Sequence, residues 1–149
     1  MQQGFETFTA LMTTIHRSIR KIKAEEIQPF HLKPPHISCL YYLYQQPFMT
    51  AKELCSHCKE DKANMSRTIE YLAGNGYIVC RTQPKKRYRS RWELTEKGTE
   101  VGKQIAEKVD AMLLAAGQGL DDEHKRIMYE SLIQINHNLQ LLCNAYTQA

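Results

Sequence analysis

Long apolar runs are missing from this 149-residue sequence. None approaches the roughly 18 consecutive residues a membrane-spanning helix needs, so a transmembrane role is not expected. Glycine and proline are sparse, at 7 and 5, which sets aside collagen-like and low-complexity classes. No glycine-rich phosphate loop, paired catalytic motif or nucleophile elbow occurs, so an enzyme is not expected. The start, Met1-Gln2-Gln3-Gly4-Phe5, has no cationic stretch leading into an apolar run and a small-residue cleavage site, which predicts no secretory leader and a cytoplasmic location.

Disulfide and metal frameworks are absent as well. The five cysteines (Cys39, Cys55, Cys58, Cys80, Cys143) form no framework for a chain of this size and are expected to be reduced thiols. Cys39 and Cys80 read as small core hydrophobes. The Cys55-Ser56-His57-Cys58 stretch supplies only two zinc ligands and lacks a strand-to-helix redox setting, so one thiol is expected in the core and the other at the surface. His16, His31, His36, His57, His124 and His137 are scattered, without a pair at metal-ligand spacing on one helix. No metal and no cofactor are expected.

The sequence does contain the makings of one soluble domain, with 42% hydrophobic and 24% charged residues. Its net charge of +4 is unevenly spread. Residues 51–92 carry ten Lys/Arg against four Asp/Glu, whereas residues 93–149 carry five against nine. A positive field confined to the middle of the chain suits a polyanionic partner there, and the acidic last third would be repelled by it.

Apolar spacing predicts mainly helices. Phe5, Phe8, Met12, Ile15, Ile19 and Ile22 recur every three or four residues and mark a narrow stripe, as on a helix that pairs with another helix; it should stop before Pro29. Pro34-Pro35 opens a shorter helix carrying Ile37, Leu40, Tyr41 and Tyr44, closed by Pro47. Thr50-Ala51-Lys52-Glu53 is a capping box that starts a helix through about Cys58. Asp61 then caps a helix with Met65, Ile69 and Leu72 on its buried side, ending at Gly74-Asn75-Gly76. Two short helices across a tight turn make a helix-turn-helix. Tyr77 to Arg81 and Tyr88 to Leu94 read as two strands joined by a turn at Pro84-Lys85-Lys86-Arg87. A long helix starts around Thr95-Glu96-Lys97-Gly98, with Val101, Ile105, Val109, Met112 and Ala116 on one face. A last helix follows Asp121-Asp122-Glu123, with Met128, Leu132, Ile135, Leu139, Leu142 and Tyr146 on one face.

The stretch Asn64-Met65-Ser66-Arg67-Thr68-Ile69-Glu70-Tyr71-Leu72, then Gly76-Tyr77-Ile78, and downstream Leu94-Thr95-Glu96-Lys97-Gly98, resembles the MarR (multiple antibiotic resistance regulator) family across nearly the whole chain. The resemblance implies a mainly α fold with a small β-hairpin wing (α+β), a winged helix-turn-helix flanked by long N- and C-terminal dimerisation helices. It reads as one domain, 1–149, with a winged lobe over about 34–98 and dimerisation helices over about 5–28 and 99–147. It further implies a homodimer and a small-molecule-responsive repressor. One departure stands out: where the family usually has Asp-x-Arg at the wing tip, this chain has Lys86 and Tyr88.

The residues themselves point to double-stranded DNA. Lys62, Asn64, Ser66 and Arg67 lie near the start of the second helix of the motif, where base edges are met in a major groove, and Arg67 suits a bidentate pair with guanine. Lys85, Lys86, Arg87, Arg89 and Arg91 put five cations in seven residues, suited to phosphates or the minor groove. A twofold dimer would read pseudo-palindromic half-sites roughly 34 Å apart. By family resemblance an effector pocket would draw on His16, His36, Cys39 and Tyr42. Two rival readings are a thiol-switched regulator using Cys55 or Cys58, and a winged-helix protein-interaction module without DNA binding.

Overall fold

The computed structural model describes residues 2–81 and 90–147; the side chain of Phe5 and the wing-tip residues Lys85, Lys86, Arg87, Tyr88 and Arg89 lie outside the described residues. The order of elements is α1 (Gln2–Ile27), a 3-10 turn (Gln28–Phe30), α2 (Pro34–Gln45), β1 (Met49–Thr50), α3 (Ala51–Cys58), α4 (Lys62–Gly74), β2 (Ile78–Cys80), β3 (Arg91–Leu94), α5 (Glu96–Ala116) and α6 (Asp122–Thr147). The described chain falls into two compact units, residues 1–109 and 110–149.

The first unit is built around α2, α3 and α4. Cys39, Leu40 and Leu43 from α2, Met49 from β1, Leu54 from α3, and Met65 and Leu72 from α4 are fully buried together. Leu32, Ile37, Ile69, Ile78 and Ile105 close the same core. Burying each such side chain contributes about 1.5–3 kcal/mol before the entropy of ordering it is counted. The helix starts follow local chemistry. Pro34 opens α2 because a first-turn residue has no use for the N–H that proline lacks, and α1 ends at Ile27, before Pro29.

A third strand joins the expected hairpin. The sheet runs β1-β3-β2, all antiparallel, with Met49 opposite Trp92 and Thr50 opposite Arg91 on one side of β3, and Ile78 opposite Leu94 on the other. Two residues are too few for alternation to register, so β1 leaves no periodic trace. β2 is also shorter than the Tyr77–Arg81 run suggests. Tyr77 directs its N–H to the Leu72 carbonyl at 2.9 Å and receives the Thr95 N–H on its own carbonyl at 3.0 Å, and so fastens α4 and α5 instead of extending the strand.

The second unit comprises the last residues of α5 and all of α6. Gly117 to Leu120 make the turn, with Gly119 at φ +87°, and the Leu120 N–H bonds the Gly117 carbonyl at 3.1 Å. Asp121 caps α6, its Oδ1 accepting from the His124 N–H at 2.8 Å. Arg126 bridges Glu123 and Glu130 along the helix. No residue of α6 is buried. Among the described residues no helix is long and apolar enough to cross a membrane.

Candidate nucleic-acid interface

The helix-turn-helix is α3, a turn through Lys59 to Asp61, and α4. Thr50 and Glu53 cap α3 reciprocally. The Thr50 hydroxyl accepts from the Glu53 N–H at 3.2 Å, and the Glu53 carboxylate accepts from the Thr50 N–H at 2.7 Å and from its hydroxyl at 2.8 Å. Those backbone and side-chain hydrogen bonds, chiefly the backbone one, hold the Glu53 carboxyl below the usual carboxylate range. Lys59 ends α3 in the left-handed region, φ 57°, a conformation that turns the chain sharply. Asp61 then caps α4, its Oδ1 accepting from the Asn64 N–H at 2.7 Å.

α4 is held by its inner face. Met65, Thr68, Ile69 and Leu72 are buried, and the opposite face presents Lys62, Ser66 and Arg67 to solvent. Asn64 is only half-exposed, and its amide donates to the Glu60 carboxylate. Of the four α4 residues expected to meet DNA, three are therefore exposed, while Asn64 shares its side chain with the turn. Of the expected wing cations, Lys85, Lys86, Arg87 and Arg89 lie outside the described residues. Arg91 donates to the Phe48 carbonyl at 2.8 Å, a bond that ties β3 to the segment before β1.

The effector group does not assemble as a set. His16 is exposed on α1, along a stretch of that helix that is exposed throughout. Cys39 is fully enclosed in the core, and burial pushes its thiol pKa far up. The Tyr42 ring sits 5.2 Å from that of His57; burial, then Cys58 and Tyr41, raise its hydroxyl above the usual tyrosine value. His36 is buried and stacks flat on Tyr71 of α4, ring centres 4.2 Å apart. It borders a cavity of about 320 Å³ whose walls include neither His16, Cys39 nor Tyr42. All three α2 residues lie within two turns, but they point to α4, the core and α3 respectively.

The paired thiols also differ from expectation. Cys55 and Cys58 are both half-buried and both pack against the core, while Ala51, Lys52, Ser56 and His57 form the exposed side of the same helix. Burial, then Glu60 and Cys55, push the Cys58 thiol up to about 11. Cys80 is likewise half-buried. Among the described residues no cluster of His, Cys, Asp or Glu is placed to hold a metal ion.

The latch between α4, the sheet and α5 is a feature that spacing alone did not suggest. The Thr95 hydroxyl donates to the Gly76 carbonyl at 2.6 Å, lies 3.1 Å from that of Tyr77, and accepts from the Gly98 N–H at 3.1 Å. Lys97 donates to the Asn75 carbonyl at 2.9 Å and lies 4.0 Å above the Tyr77 ring. Gly98 is there for space: a Cβ would sit 1.9 Å from the Tyr77 carbonyl oxygen. Its only trace in the sequence is the Leu94-Thr95-Glu96-Lys97-Gly98 motif. Arg81 and Glu93 also went unread; they form an ion pair across β2 and β3.

A capped helix-turn-helix whose second helix is backed by a three-stranded sheet defines a winged-helix protein. The chain belongs to the winged helix DNA-binding domain family, whose model matches residues 36–113. Its fold is the one shared by solved MarR family regulators. It is similar to the S. aureus MepR–DNA complex (TM-score 0.76, 18% identity, covering 89% of this chain and 96% of that one). It is also similar to a MarR transcriptional regulator from Methanosarcina mazei Go1 (0.72, 21%, 91% and 99%). A third likeness is a MarR family protein from Bacillus stearothermophilus (0.74, 16%, 94% and 98%). No curated protein matches the sequence.

Proposed function

We propose that the protein is a cytoplasmic, homodimeric, non-enzymatic transcriptional regulator that binds a pseudo-palindromic duplex through α4 and the wing, and that it acts as a repressor released by a small-molecule effector. The observation that carries the DNA reading is the α4 surface, where Lys62, Ser66 and Arg67 stand exposed on a helix capped at its start and anchored by four buried residues. A rigid helix with a cationic outer face is what groove recognition requires. Residues 1–149 would act as a single domain, with the wing cations Lys85, Lys86, Arg87 and Arg89 adding phosphate contacts.

Dimerisation is supported by the apolar surface of α1 and α6. Leu11, Met12, Ile15, Ile19 and Ile22 are exposed on α1, and on α6 nine large apolar side chains, Ile133 and Leu142 among them, are exposed. A helix that buries none of its residues gains little from propensity alone and needs a partner to be stable. An effector would act by favouring a dimer whose two α4 helices are wrongly spaced for successive major grooves, by as much as its affinities for the two forms differ. The raised Cys58 thiol weighs against a thiol switch at that residue, since the thiolate is the reactive form.

Fluorescence anisotropy with the native upstream duplex and a scrambled one, at two salt concentrations, tests this reading. Preferential, salt-sensitive binding that weakens in Arg67→Ala by about 1–3 kcal/mol is expected. A folded dimer that binds neither duplex would sink it and leave the interaction module in its place.

A further inference from the structure

The cavity beside α4 is lined by two largely buried polar residues, each of which keeps one polar atom open to it. His36 is 7% exposed and Thr68 2% exposed, and both line the cavity. The Nδ1 of His36 accepts the Lys33 N–H at 3.2 Å. That bond fixes the neutral tautomer and leaves a proton on Nε2. Among the described residues neither His36 Nε2 nor the Thr68 hydroxyl takes part in a hydrogen bond, and neither is sealed from the outside. Burial, then the charge of Lys33, keep the imidazole pKa below its usual value, so Nε2 remains a neutral donor at physiological pH.

The rest of the wall matches those donors. Lys33 and Arg67 contribute positive charge from α2 and α4, and no carboxylate lines the cavity. Four donors, two of them cationic, around about 320 Å³ leave acceptors as the missing component. That space is far larger than the roughly 30 Å³ of one water molecule.

We propose that this cavity is an oxyanion seat, held by His36 Nε2, Thr68, Lys33 and Arg67, and that a backbone phosphate of the duplex bound by α4 fills it. The source of the phosphate rests on the DNA-binding reading above; the seat itself does not. Occupancy would tie the start of α2 to the reading helix through one phosphate and so fix the register of α4 along the groove.

The test follows the His36 imidazole signals by NMR during titration with inorganic phosphate, and separately with a mixed-sequence duplex, in the wild type, Lys33→Gln and Thr68→Val. Phosphate should shift the His36 signals in the wild type and do so more weakly in both variants. In anisotropy titrations, Lys33→Gln should lower the slope of log affinity against log salt by about 0.9, the loss of one phosphate contact, while Lys103→Gln on α5 leaves it unchanged. No movement of His36 with either phosphate or duplex overturns the seat. Movement with phosphate but an unaltered duplex slope in Lys33→Gln overturns the assignment to DNA and makes a free anion the occupant. Should the wild type bind no duplex, the regulator reading fails, and the phosphate titration still decides the seat.

Discussion

Replacing Gly98 by alanine separates helix propensity from packing. Gly98 lies in the first turn of α5, and in a helix alanine is favoured over glycine by about 1 kcal/mol. Propensity alone thus predicts a more stable protein. The packing predicts the reverse: the new Cβ would lie 1.9 Å from the Tyr77 carbonyl oxygen, 2.9 Å from the Tyr77 carbonyl carbon and 3.2 Å from Leu94 Cδ2. Both sides of the clash are backbone, so no side chain can swing away. α5 must retreat from Tyr77 by about 1 Å to reach even the 3.0 Å that real contacts respect. That movement breaks the Thr95 hydroxyl bonds to Gly76 and Tyr77. Overpacking of this kind costs about 1–3 kcal/mol, occasionally more, and each lost hydrogen bond about 1 kcal/mol, so a net loss of about 2–4 kcal/mol is expected. Urea unfolding followed by far-UV circular dichroism, at one fixed protein concentration, reads the midpoint. Gly4→Ala, whose Cβ meets nothing within 4 Å on α1, should gain a few tenths to about 1 kcal/mol in the same assay. Equal or increased stability in Gly98→Ala would refute the latch.

Asp61→Ala should cost about 1 kcal/mol, by releasing the Asn64 N–H at the start of α4; Asp61→Asn should retain most of it, and equal losses in both would show that the cap is not the cause. A pH series tests His36. Because its folded pKa lies below the unfolded value, the unfolded state takes up a proton first, so stability falls as pH drops through about 6.5 and levels off once the folded form is protonated too. His36→Gln removes that part of the decline, and an identical pH profile would contradict the placement of the ring. Leu142→Glu on the exposed face of α6 should shift sedimentation towards monomer and cost some helix signal in dilute solution, as α6 loses its partner; an unaltered dimer would exclude that face from the interface. Among the thiols, exposed Cys143 should react first with an aromatic disulfide at neutral pH, and Cys58, held at about 11, much later.

The α3–α4 motif was legible because its signals are local. Thr50 with Glu53, and Asp61 with Asn64, act within three residues of chain, and Met65, Ile69 and Leu72 fall on one face by the period of the helix alone. The exposed cations of α4 follow from that same phase. Residues whose role depends on a distant strand or helix were illegible. β1 exists only because β3 pairs with it, and Arg91, read with the wing cations, donates to the Phe48 carbonyl. His36, Cys39 and Tyr42 were grouped by family resemblance, and only the packing of α2 shows that they face α4, the core and α3 respectively.

The sequence by itself determined the order of helices, their caps, the buried side of α4 and the concentration of positive charge in residues 51–92, because propensity, capping and periodicity operate over a few residues. Only the tertiary structure decided that Thr95 and Gly98 lock α5 to Tyr77, that Asn64 belongs to the turn, and that His36 and Thr68 open on a shared cavity with Lys33 and Arg67. Those relations join α2, α4, the sheet and α5 across tens of residues of chain. Which donors meet and which remain unanswered is settled by how the faces pack, and no short-range pattern encodes it.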